Sequence, residues 1–378
     1  MEKRLIDRIR KQIRRRVRNL GGTAERGSVS VLVGMSGGID SAVTLGLLKE
    51  AGIPTRALFI LMFDSPQTEN ALESAREVCC RFRTPIVVQD QREVFQQIVV
   101  DYFTASYMAG RTPNPCVICN REIKFRAMLA RAAELGTDFI STGHYARIAV
   151  TSQNRAFLLR ARSRRKDQSY FIHRMELPWL MHTIFPLAEL EKEQVHQLAA
   201  HWGLTHLVQP ESQEVCFLKN GLGDNYRNFL SMVMPEPEMP GQVVDSTGKI
   251  FGSHKGLFNY TIGQRRGLNL PDSTPWYVIG MEPENNRLVI GKKQELYSSE
   301  MKVSKLHLLV PYNPAIFSVC QVKIRYQSRP VECSVEMGTD SPGQARVIFK
   351  EPQRAITPGQ FAVFYKGPLV LGGGEICR

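Results

Sequence analysis

The chain has 378 residues, enough for two or three domains of about 100–200 residues each. Its composition is that of a globular protein, but 49 Lys and Arg against 36 Asp and Glu leave a formal net charge of +13, so a polyanionic partner is expected. There is no apolar run of about 18 residues and no apolar h-region near the start, which argues against a membrane span and a secretory signal. The eight cysteines, in a chain of this length without such a signal, read as reduced thiols in a cytoplasmic protein rather than as a disulfide framework.

The segment from Met1 to Leu20 carries nine Lys and Arg against Glu2 and Asp7. Ile6, Ile9, Ile13, Val17 and Leu20 recur at helical spacing, so residues 1–27 form a basic amphipathic arm. Such an arm suits RNA, a membrane surface or a transit function, or is simply a solvated helix.

Strands and helices then alternate. Val29–Val33 reads as a strand, Ala42–Glu50 as a helix and Thr55–Met62 as a buried strand. Thr68–Phe82 is helical, Pro85–Gln89 a short strand, Val94–Met108 and Arg121–Leu135 helices, and Asp138–Thr142 a fourth strand. This order predicts a doubly wound parallel sheet, whose ligands bind outside the carboxyl ends of the strands. Between the first strand and helix stand Gly34, Met35, Ser36, Gly37, Gly38, Ile39, Asp40 and Ser41. A small-residue turn opening a helix presents backbone N–H groups to an anion. The loop has no Walker A lysine and no dinucleotide fingerprint.

Arg111 to Asn120 reads RTPNPCVICN, with Cys116 and Cys119 placed just before the predicted helix. A thiol there has a lowered pKa, and Arg121 and Lys124 push the same way. Sulfur or redox chemistry, half of a zinc site, and two inert cysteines all fit this spacing. Arg160, Arg162, Arg164, Arg165 and Lys166 precede Tyr170 and Phe171, a pattern suited to phosphate contact and base stacking or to a solvated edge. Cys216, beside Val215 and Phe217, reads by itself as a core residue.

After Cys216 the texture changes. Pro235, Pro237, Pro240 and Gly241 interrupt the chain, and short strands with turns such as Asp245 to Gly248 follow. From about Val303 the pattern is strand throughout (318–327, 331–337, 344–349, 361–365), which predicts a small β-barrel. Alternation in Val322 to Tyr326 places Lys323 and Arg325 together on one wet face.

SGGIDS, GRTPNPCVICNREIKF, STGHYAR, KDQSYF, ESQEVCF, TIGQRRGL, PWYV and TPGQFAVFY with LGGG occur in this order from about Ser30 to Glu375. The set resembles the tRNA-specific 2-thiouridylases, the MnmA family. The resemblance implies an α/β chain: a PP-loop ATP-pyrophosphatase domain of the adenine nucleotide alpha-hydrolase-like kind (28–216) after the arm (1–27), a small α+β/β central domain contacting tRNA (217–301), and a C-terminal β-barrel (302–378).

It implies that ATP with Mg²⁺ adenylates the C2 oxygen of wobble uridine 34 and that persulfide sulfur replaces it, giving 2-thiouridine, AMP and pyrophosphate. Cys119 is then the nucleophile and Cys216 the persulfide carrier; they release sulfide from the persulfide or close a disulfide after transfer. Gly34 to Ser41, Gly143 and an adenine contact at Ile60, or Met62 two residues on, bind ATP. Asn114, Pro115 and Cys116 meet the target base. His144, Lys166, Asp167, Gln168, Arg325, Tyr326 and Gln360 contact tRNA. The implied partners are wobble-uridine tRNAs for Lys, Glu and Gln and a sulfur-relay protein. Because position 116 is Cys, an iron–sulfur cluster on Cys116, Cys119 and Cys216 stands as the alternative to a metal-free route. The basic arm lies outside the pattern and is expected to add tRNA affinity.

A small-molecule ATP-pyrophosphatase would keep the loop without needing the thiols or the cations. A non-catalytic tRNA binder would need neither Asp40 nor both Cys119 and Cys216.

Overall fold

The structure is a computed structural model and describes residues 2–19, 29–208, 215–219, 226–233, 239–268, 270, 273–338 and 342–377. The chain forms two compact units. The first comprises Met1–Ile98, Cys116–Gln213 and Pro368–Val370; the second comprises Val99–Pro115, Glu214–Gly367 and Leu371–Arg378.

The chain begins with α1 (Glu2–Asn19), β1 (Val31–Met35), α2 (Ile39–Glu50), β2 (Thr55–Leu61), α3 (Pro66–Arg81) and β3 (Ile86–Asp90). It continues with α4 (Arg92–Phe95), a π-helical turn (Gln96–Val100), α5 (Asp101–Met108), α6 (Pro115–Cys119), a second π-helical turn (Asn120–Phe125), α7 (Arg126–Glu134) and β4 (Phe139–Ser141). A hairpin of β5 (Ala146–Val150) and β6 (Ala156–Arg160), then α8 (Ser169–Ile172), α9 (Leu177–Met181), β7 (Thr183–Ile184) and α10 (Lys192–His201) follow.

The sheet of the first unit runs β3-β2-β1-β4-β7, and its pairs are all parallel. Val31, Leu32 and Val33 are buried because helices cover both faces, as a parallel sheet requires. Strand order reverses between β1 and β4, so the chain leaves these neighbours in opposite directions and opens a crevice at their carboxyl ends. The expected doubly wound sheet is therefore present.

Two predicted helices are interrupted. The segment predicted at Val94–Met108 breaks at the first π-helical turn, and the one predicted at Arg121–Leu135 starts earlier, at Pro115. Proline is tolerated there because the first helical N–H needs no partner. Cys116 and Cys119 thus lie within a helix, not ahead of one.

The N-terminal helix is docked. Ile6, Ile9 and Ile13 are buried in the core that α2 and β1 share. Arg14 Nε donates to Ala51 O at 2.8 Å, just beyond the last residue of α2, and Arg10 pairs with Glu50 at 3.0 Å. Burial of each isoleucine contributes about 1.5–3 kcal/mol, which holds a helix that its own like charges would weaken. Val17, at the end of the predicted stripe, has a side chain outside the description, and Leu20 lies outside the described residues.

In the second unit α11 (Tyr226–Val233) precedes a four-stranded sheet ordered β10-β11-β8-β9: β8 (Gly241–Asp245), β9 (Ile250–His254), β10 (Tyr277–Glu282) and β11 (Arg287–Gly291). The turn at Asp245 is held by its carboxylate, which accepts from Thr247 N and Lys249 N at 2.9 and 3.0 Å. The barrel contains β12 (Tyr297–Leu308), a short α12 (Pro314–Phe317), β13 (Cys320–Lys323), β14 (Val331–Met337), β15 (Ala345–Arg354), β16 (Phe361–Lys366) and β17 (Leu369–Cys377). Its order β12-β15-β14-β13-β16-β17 closes through β12 and β17, which removes both sheet edges.

Candidate functional site

The chain of β1 turns at Ser36 and enters α2 with Gly38 at the N-cap. Ser41 Oγ donates to Gly38 O at 2.8 Å and accepts from Ser36 N at 3.2 Å, so the two serines brace the loop from within. Gly37 has φ +73°, and a Cβ on it would lie 2.4 Å from Ala71 O of α3. Its glycine requirement therefore comes from packing inside the unit. A Cβ on Gly38 would meet only Ser36 Oγ, at 3.5 Å, so this is the glycine that faces open space.

Gly143 follows β4 and lies against the loop: a Cβ there would lie 2.8 Å from Asp40 C and 2.9 Å from Ser41 N. The loop and Gly143, distant in sequence, thus meet at the switch point of the sheet. Asp40 occupies the first turn of α2, where the helix dipole favours a carboxylate. Lys192 Nζ donates to both its oxygens, at 2.8 and 2.9 Å, and Tyr145 OH donates to Oδ1 at 2.8 Å.

Sequence reasoning missed Lys192 and Tyr145. A signal for Lys192 existed: it is the first residue of α10, a helix end where the dipole disfavours a cation, so its placement there needs a counter-charge from elsewhere.

At the end of β2, Ile60 and Met62 are both half-buried. The strand ends at Leu61, so Met62 lies just beyond it. The Met62 thioether instead accepts from the Cys119 thiol at 3.7 Å. Cys119 is buried, at 5% exposure, and Asn120 beside it donates from Nδ2 to Phe171 O at 3.3 Å.

Cys116, one turn earlier, departs from expectation. Burial pushes its thiol above the ordinary cysteine range and outweighs the opposing pull of Lys124. Arg121 is committed to Glu122 and Glu176. Within neither unit do three His, Cys, Asp or Glu side chains among the described residues gather as a metal site.

His144 Nδ1 and Thr142 Oγ1 are 2.8 Å apart, and the ring stacks on Phe125 at 5.7 Å. Burial, reinforced by Lys124, pushes the His144 pKa down to about 3, so the ring is neutral. Lys166 is half-buried. Asp167 is buried and accepts from Arg160 Nε, Ala161 N and Ser169 Oγ at 3.0, 3.0 and 3.1 Å, which folds the basic loop around it. Gln168 Oε1 accepts from Tyr145 N at 3.0 Å. Arg162, Arg164 and Arg165 are exposed. The stacking expectation needs correction at Tyr170, which is fully buried edge-on to Phe171 at 5.6 Å.

In the second unit Gln360 Nε2 donates to Thr112 O and Pro113 O at 2.9 and 3.3 Å, tying down the chain that leads to Asn114 and Pro115. Asn114 is half-buried and Pro115 buried. Arg325 is exposed and Tyr326 half-buried, with Arg325 Nη2 donating to Arg354 O at 3.2 Å. Lys323 corrects the alternation argument. It is 8% exposed, because β13 ends there and the alternation does not continue, and its ammonium lies 5.2 Å from the Tyr326 ring centre.

Cys216 is exposed at the start of a 3₁₀ turn, whereas Phe217 is buried edge-on against Phe103 at 5.3 Å. The core residue of that pair is the phenylalanine, and the cysteine is presented to solvent. Residues 211–214 of the ESQEVCF motif lie outside the described residues. A cavity of about 610 Å³ is lined by Arg227, Lys255, Tyr260, Gln264 and Arg266, the last two from the TIGQRRGL motif.

Comparison with known proteins gives one family across the chain. The tRNA methyl transferase HUP domain family matches residues 29–220, its PRC-barrel domain 227–292, and the aminomethyltransferase beta-barrel domain 298–376. The tRNA-specific 2-thiouridylase MnmA of Carboxydothermus hydrogenoformans is 42% identical over 365 residues, covering 93% of this chain and 98% of its own. Those of Desulfitobacterium hafniense and Chloroflexus aggregans are 39% and 40% identical, covering 92% of this chain and 97% and 98% of their own.

Proposed function

The chain belongs to the MnmA family of tRNA-specific 2-thiouridylases, and on that premise we propose that the Asp40 loop activates the tRNA oxygen with ATP and that the thiols of Cys119 and Cys216 carry out the exchange of that oxygen for sulfur. The enzyme is a tRNA-uridine 2-sulfurtransferase that uses ATP. One observation carries the reading: in the first unit the loop leaves the end of β1 and the Cys119 thiol touches Met62 at the end of the neighbouring β2, so loop and thiol share the carboxyl edge of the sheet.

The C2 oxygen of wobble uridine 34 attacks the α-phosphorus of ATP and pyrophosphate leaves. The N-terminus of α2 and the Gly34 to Ser41 loop receive the phosphates, Gly143 lies beside them, and Ile60 or Met62 meets adenine. Lys192 supplies the ammonium that the loop itself lacks. Asp40 would hold Mg²⁺, which would take its remaining ligands from phosphate and water. The metal supplies charge neutralisation at the phosphates.

Cys216, exposed, takes persulfide sulfur from a relay protein. Its terminal sulfur bonds to C2 as AMP departs, and the Cys119 thiolate then attacks the Cys216 sulfur, breaking the S–S bond, closing the disulfide and leaving the sulfur on C2; or Cys119 first cleaves the persulfide, closing the same disulfide and releasing sulfide for the displacement. Either version leaves Cys119 and Cys216 oxidised together, to be reduced by an external thiol.

Asn114, Pro115 and Cys116 meet the base. His144, Lys166, Asp167, Gln168, Arg325, Tyr326 and Gln360 contact tRNA, with Asp167 and Gln360 acting by holding loops. The reading assigns catalysis to 28–216, tRNA contact to 217–301 and the barrel to 302–378, with tRNAs for Lys, Glu and Gln as substrates in the cytoplasm. Among the described residues no helix is long and apolar enough to cross a membrane.

The test is incubation with ATP, sulfide and unthiolated tRNA, reading AMP and 2-thiouridine. Both products appear, and both require tRNA. AMP formed without tRNA would favour a small-molecule synthetase, and tight tRNA binding without AMP a non-catalytic binder.

A further inference from the structure

We infer that the outward face of α1 is a docking strip for the phosphate backbone of tRNA. The helix precedes residue 29, where the family match begins, so nothing in the matched domains assigns it a role. At about 100° per residue, Arg4, Arg8, Lys11 and Arg15 fall within one narrow arc, and Lys3 lies outside it. Ile6, Ile9 and Ile13 fall on the opposite side. The structure bears this out: the three isoleucines are buried and all five cations are exposed.

The cations divide by use. Arg10 and Arg14 turn inward, to Glu50 and to Ala51 O, and Arg10 also takes Asp7 at 3.2 Å. Lys3, Arg4, Arg8, Lys11 and Arg15 have no carboxylate partner among the described residues. Cations at i, i+4, such as Arg4 with Arg8 and Lys11 with Arg15, repel and weaken a helix. A fixed row of such charges, about 16 Å long at 1.5 Å per residue and not neutralised by the protein, is a destabilising arrangement that an external polyanion relieves. Phosphates bound along it release counter-ions, which drives the association.

A membrane surface fits less well. An amphipathic helix binds lipid by inserting its apolar face, and here that face is committed to the core beside α2 and β1. What remains is charge without an apolar partner, the footprint of backbone recognition in nucleic acid. The choice of tRNA rests on the thiolation reading.

The test uses the full chain carrying Arg4→Gln, Arg8→Gln, Lys11→Gln and Arg15→Gln, which keeps the buried isoleucines and substitutes a good helix former. The Kd for unthiolated tRNA rises about tenfold or more at moderate salt, and the slope of log affinity against log salt falls by up to about 3. The kcat for thiolation at saturating tRNA stays the same. A charge-conserving variant, Arg4→Lys with Arg8→Lys and Arg15→Lys, binds as wild type does. If the fourfold variant does not fold, Arg8→Gln with Lys11→Gln gives about half the change in slope.

Unchanged Kd and slope in a folded variant overturn the inference while leaving the thiolation reading intact. Binding to phosphatidylserine vesicles that the substitutions abolish, with tRNA affinity unmoved, overturns it in favour of a membrane. A wild-type protein that binds tRNA through the strip but forms no 2-thiouridine overturns the thiolation reading and supports the strip. A wild-type protein that binds no tRNA overturns both.

Discussion

Lys192 and Asp40 stand 152 residues apart in sequence and form a bidentate contact, with Nζ 2.8 and 2.9 Å from the two carboxylate oxygens. The lysine comes from the first turn of α10 and the aspartate from the first turn of α2. Each helix start is positive by its dipole, so the aspartate is at home and the lysine is not. The pair resolves that asymmetry by placing an ammonium beside the Ser36 to Ser41 loop, held out of bulk water at 11% side-chain exposure.

Removing this ammonium therefore strikes adenylation first. Lys192→Met is expected to lower tRNA-dependent AMP formation by about two orders of magnitude, the usual cost of one preorganised charge at a reacting phosphate. Binding of tRNA should stay within about twofold, the range of a distant neutral change. Single-turnover AMP release and filter binding separate the two effects. Asp40→Ala acts on the same pair, so the double variant should lose less than the sum of the singles.

The thiols separate by exposure. Cys216→Ser and Cys119→Ser each abolish 2-thiouridine formation and leave tRNA affinity unchanged, as product analysis and binding would show. Iodoacetamide labels the exposed Cys216 well before the buried Cys119, which mass spectrometry of brief reactions detects. Full activity in either serine variant would contradict a two-cysteine reaction.

His144 makes stability fall in acid. Its pKa in the fold is depressed from the ordinary 6.5 to about 3, so below pH 6.5 the unfolded chain binds a proton that the folded one does not. The stabilisation is complete above pH 6.5 and is lost as pH falls toward 3. Between pH 6.5 and 4 the loss is on the order of 3 kcal/mol, about 1.4 for each unit of pH in that range. Urea midpoints for wild type and His144→Gln, measured from pH 7 to 4, should converge as the pH drops.

The docked helix makes a stability prediction. Ile9 is 2% exposed, so Ile9→Ala should cost about 2–4 kcal/mol in urea unfolding. A helix lying free in solvent would lose no more than about 0.5 kcal/mol.

Local pattern and long-range placement divide the protein between them. The alternation of β-branched runs with helical periods sufficed for the parallel sheet, and even turn spacing sufficed for the barrel, because a period records which side of an element meets the core. The loop from Ser36 to Ser41 was legible for the same reason, as a small-residue turn between a strand and a helix.

Exposure at single positions was not legible. Cys216 and Phe217 are adjacent, and only packing against Phe103 decided which of them is buried. Tyr170 and Lys323 read as surface groups and are buried, since the side a residue faces depends on where its element ends. By itself, then, the sequence determined the elements, the loop and the thiols available for chemistry. The tertiary structure decided that Lys192 answers Asp40, that Cys119 meets Met62 and that the N-terminal helix turns its isoleucines inward. Those contacts join residues far apart in the chain, and no local period encodes where two distant segments cross.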